Sequence, residues 1–300
     1  LPLLHPQAVT VVRVIKTAEK PGAFLRFLYG SPIGRGLLCL LTHPALSKAA
    51  GAFLDSRCST FLIGPYVRHY QIDLSPYEEA VYPSFNAFFT RKIKAECRPF
   101  AQRPEELASP CDGKLSVYPI TEETVIPVKG CSYTVGRLLG DAELADQFRN
   151  GFCFVFRLTV DDYHRYHYFD SGRKGENVAI QGRLHTVRPV ALEQRRVFCE
   201  NCREYTVLES EHFGRAIQME VGALMVGRIC NYHQTRNVRR GEEKGRFEFG
   251  GSTVILLLQK NAVRPEPVLL ENTTRGWETA VRCGEKIGTG PSSEDACQDN

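Results

Sequence analysis

The sequence predicts an α+β fold in which short amphipathic helices precede a mainly β domain, built as a sandwich or a partly closed barrel. The helices are predicted from caps and helical apolar stripes within residues 1–104. The β domain, residues 105–300, is predicted from many short β-type runs that alternate with Gly, Pro and Asp turns. With 300 residues, 43% of them hydrophobic, the chain is long enough for a full core and an appended region.

The positive charge of the chain is concentrated in its first part. Residues 1–72 carry eight Lys or Arg against two Asp or Glu, whereas the net charge of the whole chain is +4. Because this basic excess coincides with apolar clusters, it favours an anionic membrane surface as a partner. No RNA-binding aromatic motif or zinc-finger spacing occurs, so we expect no nucleic-acid partner.

The cysteines indicate a redox environment, and the hydropathy shows whether a membrane-spanning segment is expected. The 11 Cys are an odd number without a disulfide-like framework, which indicates a reducing environment. No secretory signal pattern is visible, and no apolar run approaches the roughly 20 residues that a membrane-spanning helix needs.

Two or three short N-terminal segments are predicted to form amphipathic helices with basic flanks. Ser31-Pro32 supplies an N-cap followed by Pro at the first helical position, and His43-Pro44 begins the second segment. Such helices can lie in a membrane interface without crossing it, or they can simply pack on the main domain. The apolar stripes consist of Leu37, Leu38, Leu40, Leu41, Leu46, Ala49, Ala50, Phe53 and Leu54.

Further elements are predicted along the rest of the chain. Ser75-Pro76-Tyr77-Glu78 has the pattern of a capping box with Pro at the first helical position. Residues 84–92 are expected to form one short helix with an aromatic face, and Arg98-Pro99 ends the helical region. Strands are predicted at 114–118, 124–128, 152–160, 178–180, 197–199, 204–208, 216–221 and 254–258.

The segment Gly250-Gly251-Ser252-Thr253 lies between an alternating run at 246–249 and a continuous apolar run at 254–258. Two glycines allow backbone angles closed to other residues, and they hold the Ser252 hydroxyl close to the Gly251 carbonyl. Attack at that carbonyl converts the amide to an ester, and elimination followed by hydrolysis leaves a pyruvoyl group and ammonia. The alternative is an ordinary hairpin turn, in which Gly-Gly-Ser is common.

The densest polar cluster, residues 161–167, contains His164 and His167. Two histidines three residues apart can share one side of a helical turn. In the neutral form either can act as a general base near pH 7. A metal pair and a solvated turn are the alternatives, although further metal ligands are not evident nearby.

Two other motifs have both a chemical and a structural interpretation. Asp112, in Ser109-Pro110-Cys111-Asp112-Gly113, can orient a histidine as the acid of a Ser-His-Asp arrangement does, or it can form a simple Asp-Gly turn.

Cys199-Glu200-Asn201-Cys202 is a single CxxC. Since no second pair follows at a suitable spacing, we interpret these cysteines as incidental rather than redox-active or zinc-binding.

Together the motifs resemble the phosphatidylserine decarboxylase proenzymes, in that family's order, from about Ser31 to Gly288. Three positions depart from the pattern. Gly250 stands where many members have Leu, Cys111 where a small residue is usual, and Phe169 where Pro is frequent; none of these removes a functional group. The matching pieces are Phe85–Lys92, Arg98-Pro99, Ser109–Gly113, Val128-Lys129-Gly130 with Tyr133 and Leu138-Leu139, Asp162–His167, Val221-Gly222-Ala223 with Val226-Gly227, Gly241–Gly245 and Phe249–Thr253.

The resemblance implies a role for each matching residue. Ser252 becomes a covalent pyruvoyl cofactor when the chain cleaves itself between Gly251 and Ser252, which yields a β chain of residues 1–251 and an α chain of residues 252–300. His167 and Asp112 act with Ser252 in this self-processing, and His164 is implicated in decarboxylation; no metal is implied. In physical terms, His167 takes the hydroxyl proton of Ser252, provided that Asp112 holds its ring in the right tautomer.

The resemblance also implies a substrate and a location. The substrate is phosphatidylserine in membranes, the product is phosphatidylethanolamine, and the pyruvoyl group acts as the electron sink. A homodimer, peripheral on the cytoplasmic side of a bacterial cell membrane, is expected. The alternatives are a soluble relative that decarboxylates a free amino acid, and a non-catalytic β-rich lipid-binding module in which the glycine segment is an ordinary turn.

Overall fold

The structure of the chain, a computed structural model, describes residues 13–15, 27–28, 31, 33–34, 37, 44–128, 131–159, 161–183, 185, 197–223, 228–248 and 252–291. Of the chain, 25% is helix and 36% is strand, mostly in antiparallel sheets. The prediction of an α+β fold with a mainly β domain is therefore confirmed. Several predicted features lie outside the described residues, among them Pro32, Leu38, Leu40, Leu41, Lys129, Gly130, Val226, Gly227, Phe249, Gly250, Gly251 and the residues from 292 to 300.

The strands are short and are numbered here in chain order. They are β1 (Arg13–Ile15), β2 (Glu106–Ala108), β3 (Gly113–Pro119), β4 (Val125–Val128), β5 (Cys131–Thr134), β6 (Phe152–Leu158), β7 (Arg165–His167), β8 (Gly172–Lys174), β9 (Val178–Ile180), β10 (Arg203–Ser210), β11 (Gly214–Val221), β12 (Ile229–Asn231), β13 (Arg236–Val238), β14 (Glu243–Phe247), β15 (Ser252–Leu258), β16 (Arg264–Pro265), β17 (Glu278–Val281) and β18 (Lys286–Thr289).

Ten of these strands form one large sheet, which we call the main sheet. Its order is β1-β17-β3-β6-β15-β11-β10-β8-β13, with β9 paired to β10. Three smaller sheets accompany it: β12-β14-β7, β16-β18-β2 and the pair β4-β5. The described strands of the main sheet run in an open path and do not close into a barrel, so the barrel form of the prediction is not adopted.

The apolar side chains form two cores, one on each face of the main sheet. Along β15, Ile255 and Leu257 belong to the first core, whereas Val254 and Leu256 belong to the second. Because side chains alternate along a strand, these two sets point to opposite faces. The small sheet β12-β14-β7, called here the three-stranded sheet, packs on the second core through Tyr166 and Phe247.

Seven helices accompany the sheets in the described ranges with assigned bounds, and two 3-10 turns lie among them at Arg57–Leu62 and Ala95–Cys97. The helices are α1 (Pro44–Asp55), α2 (Ile63–Tyr70), α3 (Phe85–Phe89), α4 (Val135–Leu139), α5 (Ala142–Asp146), α6 (Val197–Glu200) and α7 (Pro267–Thr274). Within the ranges that the structure describes, none of the helices combines the length and the apolar character needed to cross a bilayer.

The predicted aromatic helix is present as α3, but it covers only Phe85–Phe89 of the predicted residues 84–92. Its N-cap is Ser84, whose hydroxyl accepts the N–H of Ala87 at 3.2 Å, as serine caps commonly do. Phe85, Phe88 and Phe89 are buried and form a third apolar cluster with Leu54 of α1 and neighbouring side chains. The predicted cap at Ser31 is also present, since the Gly34 N–H donates to the Ser31 hydroxyl at 2.9 Å.

Two predicted elements are wrong. The capping box at residues 75–78 does not start a helix: Tyr77 pairs with Ile93 in an antiparallel bridge, because the Glu78 N–H donates to the Lys92 carbonyl at 2.9 Å. The predicted strand at 197–199 is the helical turn α6, in which Val197 and Phe198 pack into the first core. Tertiary packing overrides the local preference in both cases.

Candidate active site

Ser252 is the first residue of β15 and lies opposite Leu158 of β6. Its side chain is fully buried, and its Oγ atom has no hydrogen-bond partner among the described residues. Buried hydroxyl groups nearly always have a partner, so an unpaired one suggests a reactive role. Following the alternation along β15, Ser252 points to the second-core face, the face covered by the three-stranded sheet that contains His167.

The glycine segment connects two different sheets. β14 ends at Phe247 and pairs with β12 and β7, whereas β15 begins at Ser252 and pairs with β6 and β11. The two strands therefore do not pair with each other, and the interpretation of an ordinary hairpin is wrong. The chain passes from the three-stranded sheet to the main sheet within a few residues, and Gly250 and Gly251 fall in that passage.

His164 precedes β7 and is completely buried. Its Nδ1 atom lies 2.9 Å from the carbonyl oxygen of Asp162, so Nδ1 bears the proton and donates it. Its Nε2 atom is buried with no partner among the described residues, and the ring packs on Phe89 at a centroid distance of 4.1 Å. Burial, assisted by the positive charge of Arg91, lowers the pKa of His164 to about 3, so the ring is neutral near pH 7.

Hydrogen bonds link the His164 segment to β14, which precedes Ser252 along the chain, and to the end of β6, which pairs with β15. The Phe247 N–H, at the end of β14, donates to the His164 carbonyl at 2.9 Å. On the other side, the Asp162 carboxylate accepts the Thr159 N–H at 2.6 Å, directly after β6. The same carboxylate pairs with Lys114 of β3 at 2.6 Å. These contacts fix the position of His164 relative to the start of β15.

His167 ends β7 and is partly exposed. Its N–H donates to the Pro110 carbonyl at 2.8 Å, and its carbonyl accepts the Gln218 amide at 3.1 Å. Its Nδ1 atom lies 3.3 Å from the Sγ atom of Cys283. Burial lowers the pKa of His167, and the carboxylates of Glu243 and Asp112 partly offset that effect, so this ring also favours the neutral form.

Asp112 occupies the turn before β3. Its carboxylate contacts Arg98 and Cys283 instead of the His167 ring that we expected it to hold. Its two carboxylate oxygens accept the Nε and Nη2 protons of Arg98 at 2.8 and 2.6 Å. The oxygen that binds Nε also accepts the N–H of Cys283 at 2.8 Å. The direct hydrogen bond from Asp112 to His167 that we expected is therefore not made in this structure, although the two residues share Cys283 as a neighbour.

A sequence model of the phosphatidylserine decarboxylase family matches residues 85–289, which include Asp112, His164, His167 and Ser252. The chain belongs to the phosphatidylserine decarboxylase family. It is accordingly an enzyme of the decarboxylase class.

Curated relatives from bacteria are similar over most of their length. One is phosphatidylserine decarboxylase proenzyme 2 of Clostridium acetobutylicum, 45% identical over 88% of this chain and 91% of that protein. The phosphatidylserine decarboxylase proenzymes of Clostridium botulinum (strain Langeland) and Desulfitobacterium hafniense (strain DCB-2) are 41% and 40% identical over 88% of this chain, and over 92% and 91% of their own lengths. The relatives are named proenzymes, which implies that they are processed.

In this decarboxylase a buried ion pair connects the three-stranded sheet to the main sheet. Lys244 of β14 and Glu220 of β11 are both fully buried, and their charged atoms are 2.6 Å apart. Asn231 of β12 contacts both. The neighbouring Gly245 leaves room for Tyr166, whose Oη would lie only 2.7 Å from a Cβ at that position. These contacts give Lys244 and Gly245 of the motif Gly241–Gly245 a structural role that the sequence alone did not assign.

Two cavities in the decarboxylase are lined in part by residues of α3. The first, of about 610 Å³, is polar, and the residues lining it include Arg165, Arg246, Glu248, Lys92 and Asn86. The second, of about 480 Å³, is apolar, and it is lined by Ala50, Phe53, Leu54, Leu62, Pro65, Tyr66, His69, Tyr70 and Phe85.

Two residues of the site were missed by sequence reasoning. Arg98 was interpreted as the end of a helical region and stands in the matching motif Arg98-Pro99, but no role was assigned to it; in the structure it binds the Asp112 carboxylate. Cys283 lies in no motif and is 116 residues from His167 along the chain. No signal in the sequence indicates the Cys283 contact, because a long-range contact of a lone cysteine has no local pattern.

Proposed function

We propose that this enzyme cleaves its own chain between Gly251 and Ser252 and uses the resulting pyruvoyl group to decarboxylate phosphatidylserine to phosphatidylethanolamine. The products of cleavage are a β chain, residues 1–251, and an α chain, residues 252–300. The observation that supports this most is the buried hydroxyl of Ser252, which has no hydrogen-bond partner in the described part of the chain and directly follows two glycines between strands of different sheets. The relatives' names, which contain both the substrate and the word proenzyme, agree with it.

The self-cleavage requires a base for the Ser252 hydroxyl, because a serine hydroxyl is a weak nucleophile until its proton is removed. His167 is neutral and lies on the sheet that faces Ser252, and we assign it this role. The Ser252 oxygen attacks the Gly251 carbonyl carbon, and the Gly251–Ser252 amide becomes an ester. Loss of the Gly251 carboxylate by elimination, then addition of water and loss of ammonia, leaves a pyruvoyl group at residue 252.

The geometry around Ser252 fits that group. Residue 252 is enclosed at a strand start, so a new ketone there is held rigidly and away from bulk water. A pyruvoyl group supplies an electron sink for the loss of carbon dioxide from an amino acid headgroup. Replacing the carboxylate by hydrogen consumes one proton, and we assign its delivery to His164. Nδ1 is committed to the Asp162 carbonyl, so Nε2 is the atom that takes this proton from water and passes it to the substrate carbon.

The polar cavity is the proposed headgroup site. Its lining contains four cations, Arg91, Lys92, Arg165 and Arg246, and three acids, Asp55, Glu78 and Glu248. A phosphatidylserine headgroup carries a phosphate, a carboxylate and an ammonium, so a mixed lining with excess positive charge complements it. Arg165 directly follows His164 along the chain, which brings this cavity next to the proposed proton-transfer group.

We propose that the enzyme binds the membrane peripherally, on the cytoplasmic side of a bacterial cell, through the helices before α3. The apolar cavity beside α3 accommodates acyl chains. Phe53, which lines it, is 46% exposed, and Phe61, in the 3-10 turn at Arg57–Leu62, is 66% exposed. Arg57 and Arg68 in the same helical region are exposed and suit anionic lipids. A homodimer, as the family resemblance implies, is part of the proposal.

The experiment that tests the proposed function compares two substrates. The purified protein is incubated with phosphatidylcholine vesicles that contain phosphatidylserine labelled at the serine carboxylate, or with labelled free serine, and released carbon dioxide is counted. We expect release from the vesicles only, with Ser252→Ala as the inactive control. A preference for free serine would support the soluble amino acid decarboxylase instead, and release by Ser252→Ala would refute the pyruvoyl assignment.

A further inference from the structure

We propose that Cys283 is a positioning residue for His167, holding its ring in the tautomer that leaves Nε2 free to take the Ser252 proton. This inference deepens the proposed self-cleavage and rests on it. It assigns to the Cys283 thiol the contact on Nδ1 that an aspartate makes in a Ser-His-Asp arrangement. Asp112 then acts on the histidine through residue 283 rather than directly.

The position of Cys283 is fixed by three contacts. Its N–H donates to the Asp112 carboxylate at 2.8 Å, and that carboxylate is itself held by Arg98. Its thiol lies 3.5 Å from the Pro110 carbonyl oxygen and 3.3 Å from Nδ1 of His167. The Pro110 carbonyl also accepts the His167 N–H at 2.8 Å, so one carbonyl oxygen aligns both residues.

The direction of these hydrogen bonds determines the tautomer. Burial raises the pKa of the Cys283 thiol, so the group carries its proton. If that proton goes to the Pro110 carbonyl, the sulfur lone pair accepts a proton from Nδ1, and Nε2 is left as the unprotonated base. If the thiol instead donated its proton to Nδ1, the ring proton would be on Nε2. Nε2 could then not accept the Ser252 proton.

The other neighbours of the His167 ring do not fix its tautomer. Phe100 and Tyr163 contact it only as rings, with centroids 5.7 and 6.3 Å away. Glu243 and Arg165, the nearest opposite charges on β14 and β7, are paired with each other at 2.5 Å. The Pro110 carbonyl also lies close enough to raise the pKa of His167 through a hydrogen bond, and a carbonyl can only accept a proton. Among the described residues, the Cys283 sulfur is the side-chain hydrogen-bond partner of the ring.

A spectroscopic test uses the uncleaved Ser252→Ala chain. The ¹⁵N resonances of His167 report which ring nitrogen carries the proton, and we expect a protonated Nδ1 and an unprotonated Nε2. Replacing Cys283 by Ala removes the contact and should mix the two tautomers, whereas Ser, nearly the same size as Ala, restores a polar partner and should preserve the Nδ1–H form. A protonated Nε2 with Cys283 intact would overturn the proposal.

A kinetic test follows self-cleavage of freshly translated chains on a denaturing gel. Cys283→Ala should slow cleavage about fivefold, equivalent to the roughly 1 kcal/mol of an ordinary hydrogen bond, and Cys283→Ser should recover most of the rate. The control for both tests is Cys153→Ala, which removes a buried thiol from the first core. It should leave the His167 resonances and the cleavage rate unchanged. Equal cleavage rates for all four chains would refute the role of Cys283 alone, whereas no cleavage of the unmodified chain would refute the proposed function itself.

Discussion

Lys244 and Glu220 form the buried link between the three-stranded sheet and the main sheet, with their charged atoms 2.6 Å apart and both side chains inaccessible to solvent. The link joins β14, which leads into the glycine segment, to β11, the neighbour of β15. We infer that it would hold the two sheets together during the proposed cleavage of the chain between β14 and β15.

Removing one partner of this pair should be strongly destabilising. Lys244→Met leaves the Glu220 carboxylate buried without its counterion, and we expect the free energy of unfolding to fall by about 3–5 kcal/mol. Urea unfolding of the variant in the Ser252→Ala background measures this. The control is Arg275→Met, which removes an exposed pair with Glu271 and should cost less than about 0.5 kcal/mol. A loss below about 1 kcal/mol for Lys244→Met would show that the pair is not the link described.

Burial of a neutral His164 should make stability depend on pH. The pKa of His164 is lowered to about 3 from an ordinary value of 6.5. Between these values the unfolded chain binds a proton that the folded chain excludes, so the free energy of unfolding should fall as pH drops from about 6.5 towards 3, by up to about 1.4 kcal/mol per pH unit. His164→Phe should have a smaller slope in this range, whereas the exposed control His69→Gln should keep it. Identical slopes in all three chains would contradict the neutral, buried state.

Most of the strand pattern of the β domain was predictable because it depends on local alternation and turns. The run at 254–258 forms the last five residues of β15, and residues 216–221 lie in β11. Ser84 was predictable as a cap because its hydroxyl binds a backbone group three residues away. The helix predicted at residues 75–78 failed because its backbone pairs with 92–94, which a local pattern does not reveal.

The candidate site was predictable only in part. Ser252, His164, His167 and Asp112 stand in motifs that a single sequence displays. The Arg98 and Cys283 contacts depend on how the turn before β3 meets the end of β17, and no spacing encodes that meeting. The passage from one sheet to another at the glycine segment likewise depends on strand pairing, which alternation does not reveal.

The polar cavity should contribute to substrate affinity. Lys92 lines it, is exposed and makes no ion pair among the described residues, so Lys92→Met removes a charge with little structural effect. We expect the KM for phosphatidylserine in vesicles to rise about threefold to fivefold with kcat nearly unchanged, since one charge contact to the headgroup is lost. Lys260→Met, an exposed lysine after β15, is the control. An unchanged KM would place the headgroup elsewhere.

The exposed aromatic side chains before α3 should be needed for membrane binding. Phe61 is 66% exposed, and Phe61→Ser should reduce co-sedimentation with anionic vesicles about tenfold, because burying a Phe side chain in an apolar phase is worth about 1.5–3 kcal/mol. Val178→Ser, on β9, removes a side chain that is 41% exposed in another part of the fold and should leave binding unchanged. Equal losses from the two variants would contradict a membrane-binding role for the helices.

The central claim is that the chain converts Ser252 into a ketone by cutting the Gly251–Ser252 bond. Intact mass spectrometry of the purified protein under denaturing conditions tests this most directly, with Ser252→Ala measured in parallel. We expect two fragments from the unmodified chain, ending at Gly251 and beginning with a pyruvoyl group at residue 252, and one uncut chain from Ser252→Ala. A single intact mass for the unmodified chain, or two fragments from Ser252→Ala, would contradict the account.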